Sequence, residues 1–162
     1  MDLGPPPLFS LINLKRKAHF RNSKQVMHIK NCYHLLIWRG KLLFRFNDGK
    51  PFPYLINQRT KFIKKLTTYI FLGEFENKNV FLWDMSDSRD VLGNTGQIGS
   101  FNDEDRNYHP DLPKGTYFCD LRNLLPVLDS KYANLCATAK GMYEWQKRVN
   151  FCQSCGGKLS TE

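Results

Sequence analysis

Two strand–turn–strand patterns constrain this chain more than any other feature. Cys32 to Trp38 is an apolar run, Arg39-Gly40 suits a tight turn, and Lys41 to Phe46 returns. In the returning segment Leu42, Phe44 and Phe46 alternate with Lys41, Leu43 and Arg45, so one face is apolar and the period is two. A helix repeats its face every ~3.6 residues and does not carry that pattern. Asn47-Asp48-Gly49-Lys50-Pro51 reads as a turn cluster. A second pair, Thr67 to Phe75 and Val80 to Met85, flanks Glu76-Asn77-Lys78-Asn79, which suits left-handed backbone. Thr116 to Leu121 is a further strand, and Val26 to Ile29 a weaker candidate.

After residue 120 the pattern becomes helical. Leu121, Leu124, Leu125 and Leu128 recur at helical spacing, but Pro126 limits them to a short turn of helix. Asp129 or Ser130 can cap the next helix, whose inward face is Tyr132, Leu135, Cys136, Ala139, Met142 and Tyr143. Lys147 and Arg148 fall in its last turn, where cations favour the dipole. Trp145 is expected to pack the helix against the sheet. The predicted fold class is α+β: a mostly antiparallel β-sheet with a C-terminal helix leading into a zinc knuckle. Ser86 to Lys114 is polar and reads as a long, mobile loop. No helix pattern follows its Gly93, Gly96 and Gly99, so they form no phosphate-cradling motif.

Composition narrows the partners. There are 24 Lys+Arg against 15 Asp+Glu, a net charge of +9, which favours nucleotides, RNA or acidic surfaces, or else a solvated basic face. With 41% apolar residues a core is expected rather than disorder. Between Asp2 and Asp48 no acid occurs, so residues 1–24 read as a basic arm. Its Gly4-Pro5-Pro6-Pro7 opposes the amphipathic helix of a mitochondrial transit peptide. No apolar run approaches the roughly 18 residues of a membrane span. The five cysteines are odd in number and follow no secretory segment. They predict a reducing, intracellular setting, the cytoplasm ahead of the mitochondrion, without a disulfide framework.

The sharpest motif is Phe151-Cys152-Gln153-Ser154-Cys155-Gly156-Gly157. Two thiolates spaced by two residues can grip one zinc ion, and Gly156 permits the positive backbone angle of such a turn. Cys152 and Cys155 are therefore candidate metal ligands, half of a four-ligand structural site. The other half can come from a second Cys-x-x-Cys beyond Glu162, from a second copy of the chain, or from Cys32, Cys119, Cys136 or a histidine. Cys119 and Cys136 lie in apolar contexts that suit small buried hydrophobes. A redox pair would open a helix after a strand, whereas this pair follows a helix. His19, His28, His34 and His109 are dispersed, with His34 expected as a satisfied strand residue. Lys61, Lys64 and Lys65, beside Arg59, can steer phosphates or form a solvated face. Asp103-Glu104-Asp105 reads as an acidic surface loop.

A family resemblance rests on Asp120-Leu121-Arg122-Asn123-Leu124-Leu125, Leu128-Asp129, Ala133, Ala137, Ala139, Glu144-Trp145 and Phe151-Cys152-Gln153-Ser154-Cys155-Gly156. This run resembles the linker helix and zinc knuckle of NADH pyrophosphatases of the Nudix superfamily. Upstream, Phe71-Leu72-Gly73 and Phe81-Leu82-Trp83-Asp84 are similar to a strand pair of that family's N-terminal domain. The resemblance covers residues 67 to 160 and is specific from 116 to 156. Gln146 stands where the family usually has histidine, and a second cysteine pair is expected past Glu162.

The resemblance implies an enzyme that hydrolyses NADH or NAD⁺ to a nicotinamide mononucleotide and AMP, in some members removing NAD caps from RNA. Glutamates of the Nudix box, Gly-x5-Glu-x7-Arg-Glu-x-x-Glu-Glu-x-Gly, would hold Mg²⁺ or Mn²⁺ there. Nothing in this chain matches that box, and Glu74, Glu76, Glu104, Glu144 and Glu162 are scattered, so no catalytic residue is assigned. The expected division is a basic arm (1–24), an NADH-pyrophosphatase-like β-rich domain (25–128), a linker helix (129–150) and the first half of a zinc ribbon (151–162), with the Nudix domain absent. The expected function is the non-catalytic N-terminal portion of an NAD(H) diphosphatase, serving zinc-braced folding and homodimer contacts. NAD(H) would be a partner only through the missing catalytic domain. The alternative is a free-standing zinc- or RNA-binding module without catalytic activity.

Overall fold

A computed structural model describes residues 14–17, 31–58, 60–89, 91–92, 106–149, 151–152 and 154–159. Among the described residues seven strands form one sheet: β1 (Leu14–Lys15), β2 (Cys32–Trp38), β3 (Lys41–Asn47), β4 (Lys50–Pro53), β5 (Tyr69–Phe75), β6 (Lys78–Asp84) and β7 (Thr116–Cys119). Their order is β1-β5-β6-β2-β3-β4, with β7 also paired to β3. Two helices follow, α1 (Leu121–Leu124) and α2 (Ser130–Arg148), separated by a 3-10 turn at Leu125–Val127. Among the described residues no helix is long and apolar enough to cross a membrane.

Three two-residue turns build the hairpins. Arg39 and Gly40 (φ 47° and 82°), Asp48 and Gly49 (48° and 77°) and Glu76 and Asn77 (48° and 61°) all have positive φ. That pairing matches the right-handed twist of the strands it joins. The turn after β5 is two residues tighter than the sequence suggested, because Lys78 and Asn79 already pair with Phe75 and Glu74. β4 went unforeseen: Pro51, expected in a turn, opposes Phe46, and Pro53 opposes Phe44. Proline lacks the amide donor, and an edge strand is where that loss is tolerated.

All pairings are antiparallel except β2 with β6, which run parallel from Cys32↔Asn79 to Ile37↔Asp84. β2 is therefore covered on both faces, which explains its nearly continuous apolar run. Leu35 and Ile37 face one cluster with Leu42, Phe44, Leu72 and Leu82, closed over by α2. Leu36 and Trp38 face a second cluster with Leu43, Phe81, Trp83 and Phe118. Leu43, read as lying on the polar side of its strand, is fully buried in this second core. Each such side chain contributes about 1.5–3 kcal/mol on burial.

The second face is closed by connecting segments rather than a helix. Ile63 and Leu112 are buried there, and Tyr54, Ile56 and Phe62 pack beside them. The Ser86–Lys114 stretch is therefore not simply a mobile loop. Val91 is buried, Leu92 pairs with Tyr108, and buried Asn107 pairs with Phe118. Residues 93–105, including Gly93, Gly96, Gly99 and Asp103-Glu104-Asp105, lie outside the described residues. So do Val26–Ile29, His19, His28 and most of the basic arm. Within that arm Leu14 is buried and pairs with Phe75, anchoring the segment to β5. His34 is buried, and its Nδ1 accepts from the Trp83 indole at 3.0 Å, as expected of a satisfied strand histidine.

Candidate metal centre

The approach to the cysteine pair is built from β7 onward by two caps. The Asp120 carboxylate accepts from the Arg122 amide at 2.9 Å and pairs with its guanidinium at 2.7 Å. Burial raises the Asp120 pKa, but the Arg122 side-chain and backbone hydrogen bonds outweigh it and hold the group below its usual value. Asp129 caps α2, accepting from the Lys131 amide at 3.0 Å. With 19 residues α2 is about 28 Å long.

The inward face of α2 holds Leu135, Cys136, Ala139 and Tyr143, all buried, with Tyr132 and Met142 packed at its margin. Ala133 and Asn134 are buried too, which the helical spacing did not show. Trp145 corrects an expectation: it is 57% exposed and does not pack on the sheet. It stands two residues from Tyr143, about 200° around the helix.

The C-terminal half of α2 is held by polar contacts that the sequence did not show. Lys147 Nζ lies 3.0 Å from Asp84 Oδ2 at the end of β6. Asp84 also accepts from the amide and hydroxyl of Ser86, and the Ser86 hydroxyl is 2.8 Å from the Tyr143 hydroxyl. Hydrogen bonding to Asp84 raises the Lys147 pKa, while burial raises that of Tyr143. Lys140 donates to the Gly40 carbonyl at 2.7 Å, tying the helix to the β2–β3 turn. Lys147, read from sequence as a dipole-favouring cation, is thus a positioning ion pair. Gln146 lines a cavity of about 150 Å³ beside Asp84 and Lys147.

Past α2, Val149 closes the helix by donating to the Trp145 carbonyl at 2.9 Å. Phe151 then pairs with Lys158, making a narrow return around the cysteines. The Cys152 amide donates to the Gly157 carbonyl and the Gly156 amide to the Cys152 carbonyl, both at 2.8 Å. Gly156 takes φ +67°, the left-handed value its position required. The Cys152 thiol receives the backbone amides of Cys155 and Ser154, then the Cys155 side chain, and these lower its pKa. Thiolate is the form that binds a metal. Cys152 is partly exposed and Cys155 exposed, so both are accessible.

The remaining cysteines sit elsewhere. Cys32, Cys119 and Cys136 are buried in the two cores, and burial drives the Cys136 thiol far above its ordinary value and raises Cys32. Among the described residues no group of three or more His, Cys, Asp or Glu side chains converges as a metal site. Cys152 and Cys155 are therefore the two cysteines that lie outside the cores.

Sheet, caps and α2 together form the unit that comparison with known families recognises. A family model, the NADH pyrophosphatase-like rudimentary Nudix domain, matches residues 32–145. This chain belongs to that family. No curated protein matches the chain. The match begins at the first residue of β2 and ends within α2, so it contains the sheet from β2 to β7 and most of the helix. The cysteine turn lies just beyond it. Within this rudimentary Nudix domain α2 carries a single acidic residue, Glu144, which pairs with Lys140 and Arg148 at 3.5 Å each.

Proposed function

We propose that this chain is the non-catalytic N-terminal portion of an NAD(H) diphosphatase, and that Cys152 and Cys155 bind structural zinc. The observation that carries this reading is the family match over residues 32–145, which ends within α2, a few residues before the turn that holds Cys152 and Cys155. Zinc would act as a brace, joining this pair to a second thiolate pair supplied by further chain or by another copy. Trp145, Phe151 and Leu159 are 57%, 59% and 41% exposed around that turn. Such apolar surface near a half-built site suits a homodimer contact or a following domain. Catalysis of NADH hydrolysis to NMNH and AMP, or removal of NAD caps from RNA, would belong to a Nudix domain holding Mg²⁺ or Mn²⁺.

Zinc content measured by elemental analysis, together with native mass, tests the reading. The 162-residue chain should take up zinc, and Cys152→Ser/Cys155→Ser should abolish uptake while the sheet stays folded. One ion per two chains, with a doubled mass, supports a site shared between copies. The same protein incubated with NADH and Mg²⁺ or Mn²⁺ should release no AMP. Absence of zinc from the wild-type chain excludes a site shared between copies and leaves only one completed by further chain, and AMP release sinks the non-catalytic reading.

A further inference from the structure

On the sheet face opposite α2 lies an open cleft of about 380 Å³, lined among others by Tyr54, Thr60, Lys61, Phe62, Lys65 and Asp111. Its size falls within the roughly 300–1,000 Å³ of small-molecule sites, whereas the 150 Å³ cavity beside α2 falls below it. The local fold forces its chemistry. Ile63 is fully buried and anchors the short 3-10 turn Ile63–Lys65. The Lys64 amide donates to the Thr60 carbonyl and the Ile63 amide to the Thr60 hydroxyl, closing the turn. With Ile63 pinned inward, Lys61, Lys64 and Lys65 are left exposed, and none has an ion-pair partner among the described residues. Phe62 is braced from behind by the His109 ring at 4.8 Å.

We propose that this cleft binds a nucleotide, its base against the Tyr54 and Phe62 rings and its phosphate on Lys61 and Lys65. Aromatic rings beside unpaired cations are the recurring means of holding a base and its phosphate. The exposed Asp111 carboxylate accepts hydrogen bonds only, so it can receive an N–H of the base, and the larger ring face of adenine stacks more strongly on the aromatic rings than uracil does. The chain's net charge of +9 draws the same ligand class. The proposal does not rest on zinc or on dinucleotide hydrolysis. The nucleotide can be free or part of a single strand.

The test uses the whole chain, calorimetry with AMP and UMP, and fluorescence anisotropy with short labelled oligoadenylate and oligouridylate. Adenylate should bind, uridylate more weakly. Lys61→Glu/Lys65→Glu should weaken adenylate binding about tenfold or more. The matched charge reversal Lys50→Glu/Arg148→Glu, on other elements, should weaken it by less than about threefold. For the oligonucleotide, log K against log salt should fall with a slope of about −1.4 if Lys61 and Lys65 meet phosphates. Binding of AMP identifies a free-nucleotide site, and binding of the oligonucleotide alone identifies a strand site; both support the proposal. It is overturned if neither adenylate binds, if the two variants lose affinity equally, or if uridylate binds as well as adenylate.

Discussion

Gly73 is the position where one methyl group should do the most damage. It sits in β5 at the register shift between Phe71 and Gly73, with φ +135°, a backbone angle that L side chains rarely adopt. A Cβ there would stand 2.4 Å from the Lys15 carbonyl oxygen and 3.0 Å from the Arg16 Cα. Both are backbone atoms, so no rotamer change relieves the clash. Gly73→Ala therefore faces two costs. Forcing φ costs about 1–3 kcal/mol. Pushing β1 off β5 exposes Leu14, now 3% exposed, at about 1.5–3 kcal/mol. The total is about 2.5–6 kcal/mol, a large share of the roughly 5–15 kcal/mol that holds a domain together. For a chain of this size that lowers Tm by roughly 5–24 °C. Gly49→Ala is the internal control. Its φ is +77°, and nothing lies within 4 Å of the added Cβ. It should cost only about 1 kcal/mol. Urea unfolding followed by the fluorescence of buried Trp38 and Trp83 measures both. If Gly73→Ala costs no more than Gly49→Ala, the clash with β1 is not real and the reasoning fails.

Three further outcomes are expected. Asp129→Ala removes the α2 cap and should cost about 1 kcal/mol in urea unfolding; an unshifted midpoint would deny the cap its role. Lys147 has a raised pKa, so its ion pair contributes stability below the ordinary lysine value of 10.5 and loses it as pH rises through the raised one. Because the side chain is 53% exposed, Lys147→Met should cost under about 1 kcal/mol at neutral pH. That difference should shrink above the lysine range; a difference independent of pH would assign the loss to packing. In metal-free native protein, iodoacetamide should label Cys152 well before Cys32 or Cys136, because its thiol pKa is lowered and theirs are raised. Peptide mass mapping showing Cys136 labelled first would contradict the burial of α2.

What could be read locally was read from the chain. The hairpin turns at Arg39-Gly40 and Glu76-Asn77, the short helix broken at Pro126, the Asp129 cap and the Gly156 turn each depend on a few adjacent residues with marked backbone preferences. The Cys152 and Cys155 motif belongs to the same class, since two residues and a glycine specify its turn. Other features depend on residues distant in sequence. The parallel pairing of β2 with β6 joins segments more than forty residues apart, and Leu36 and Leu43 face a second core because distant connecting segments, with Ile63 and Leu112, cover that side of the sheet. β4 escaped because its prolines look like turn residues until the edge of the sheet is known. Trp145 misled because apolarity alone does not reveal which side of a helix meets the sheet. The lock of Asp84, Ser86, Tyr143 and Lys147, and the cleft that gathers Lys61, Phe62 and Asp111, exist only in the folded chain. Sequence thus determined the turns, caps and thiol pair, where the governing energies are local. Tertiary structure decided which faces are covered and which charges meet, because those depend on burial and on contacts across the fold.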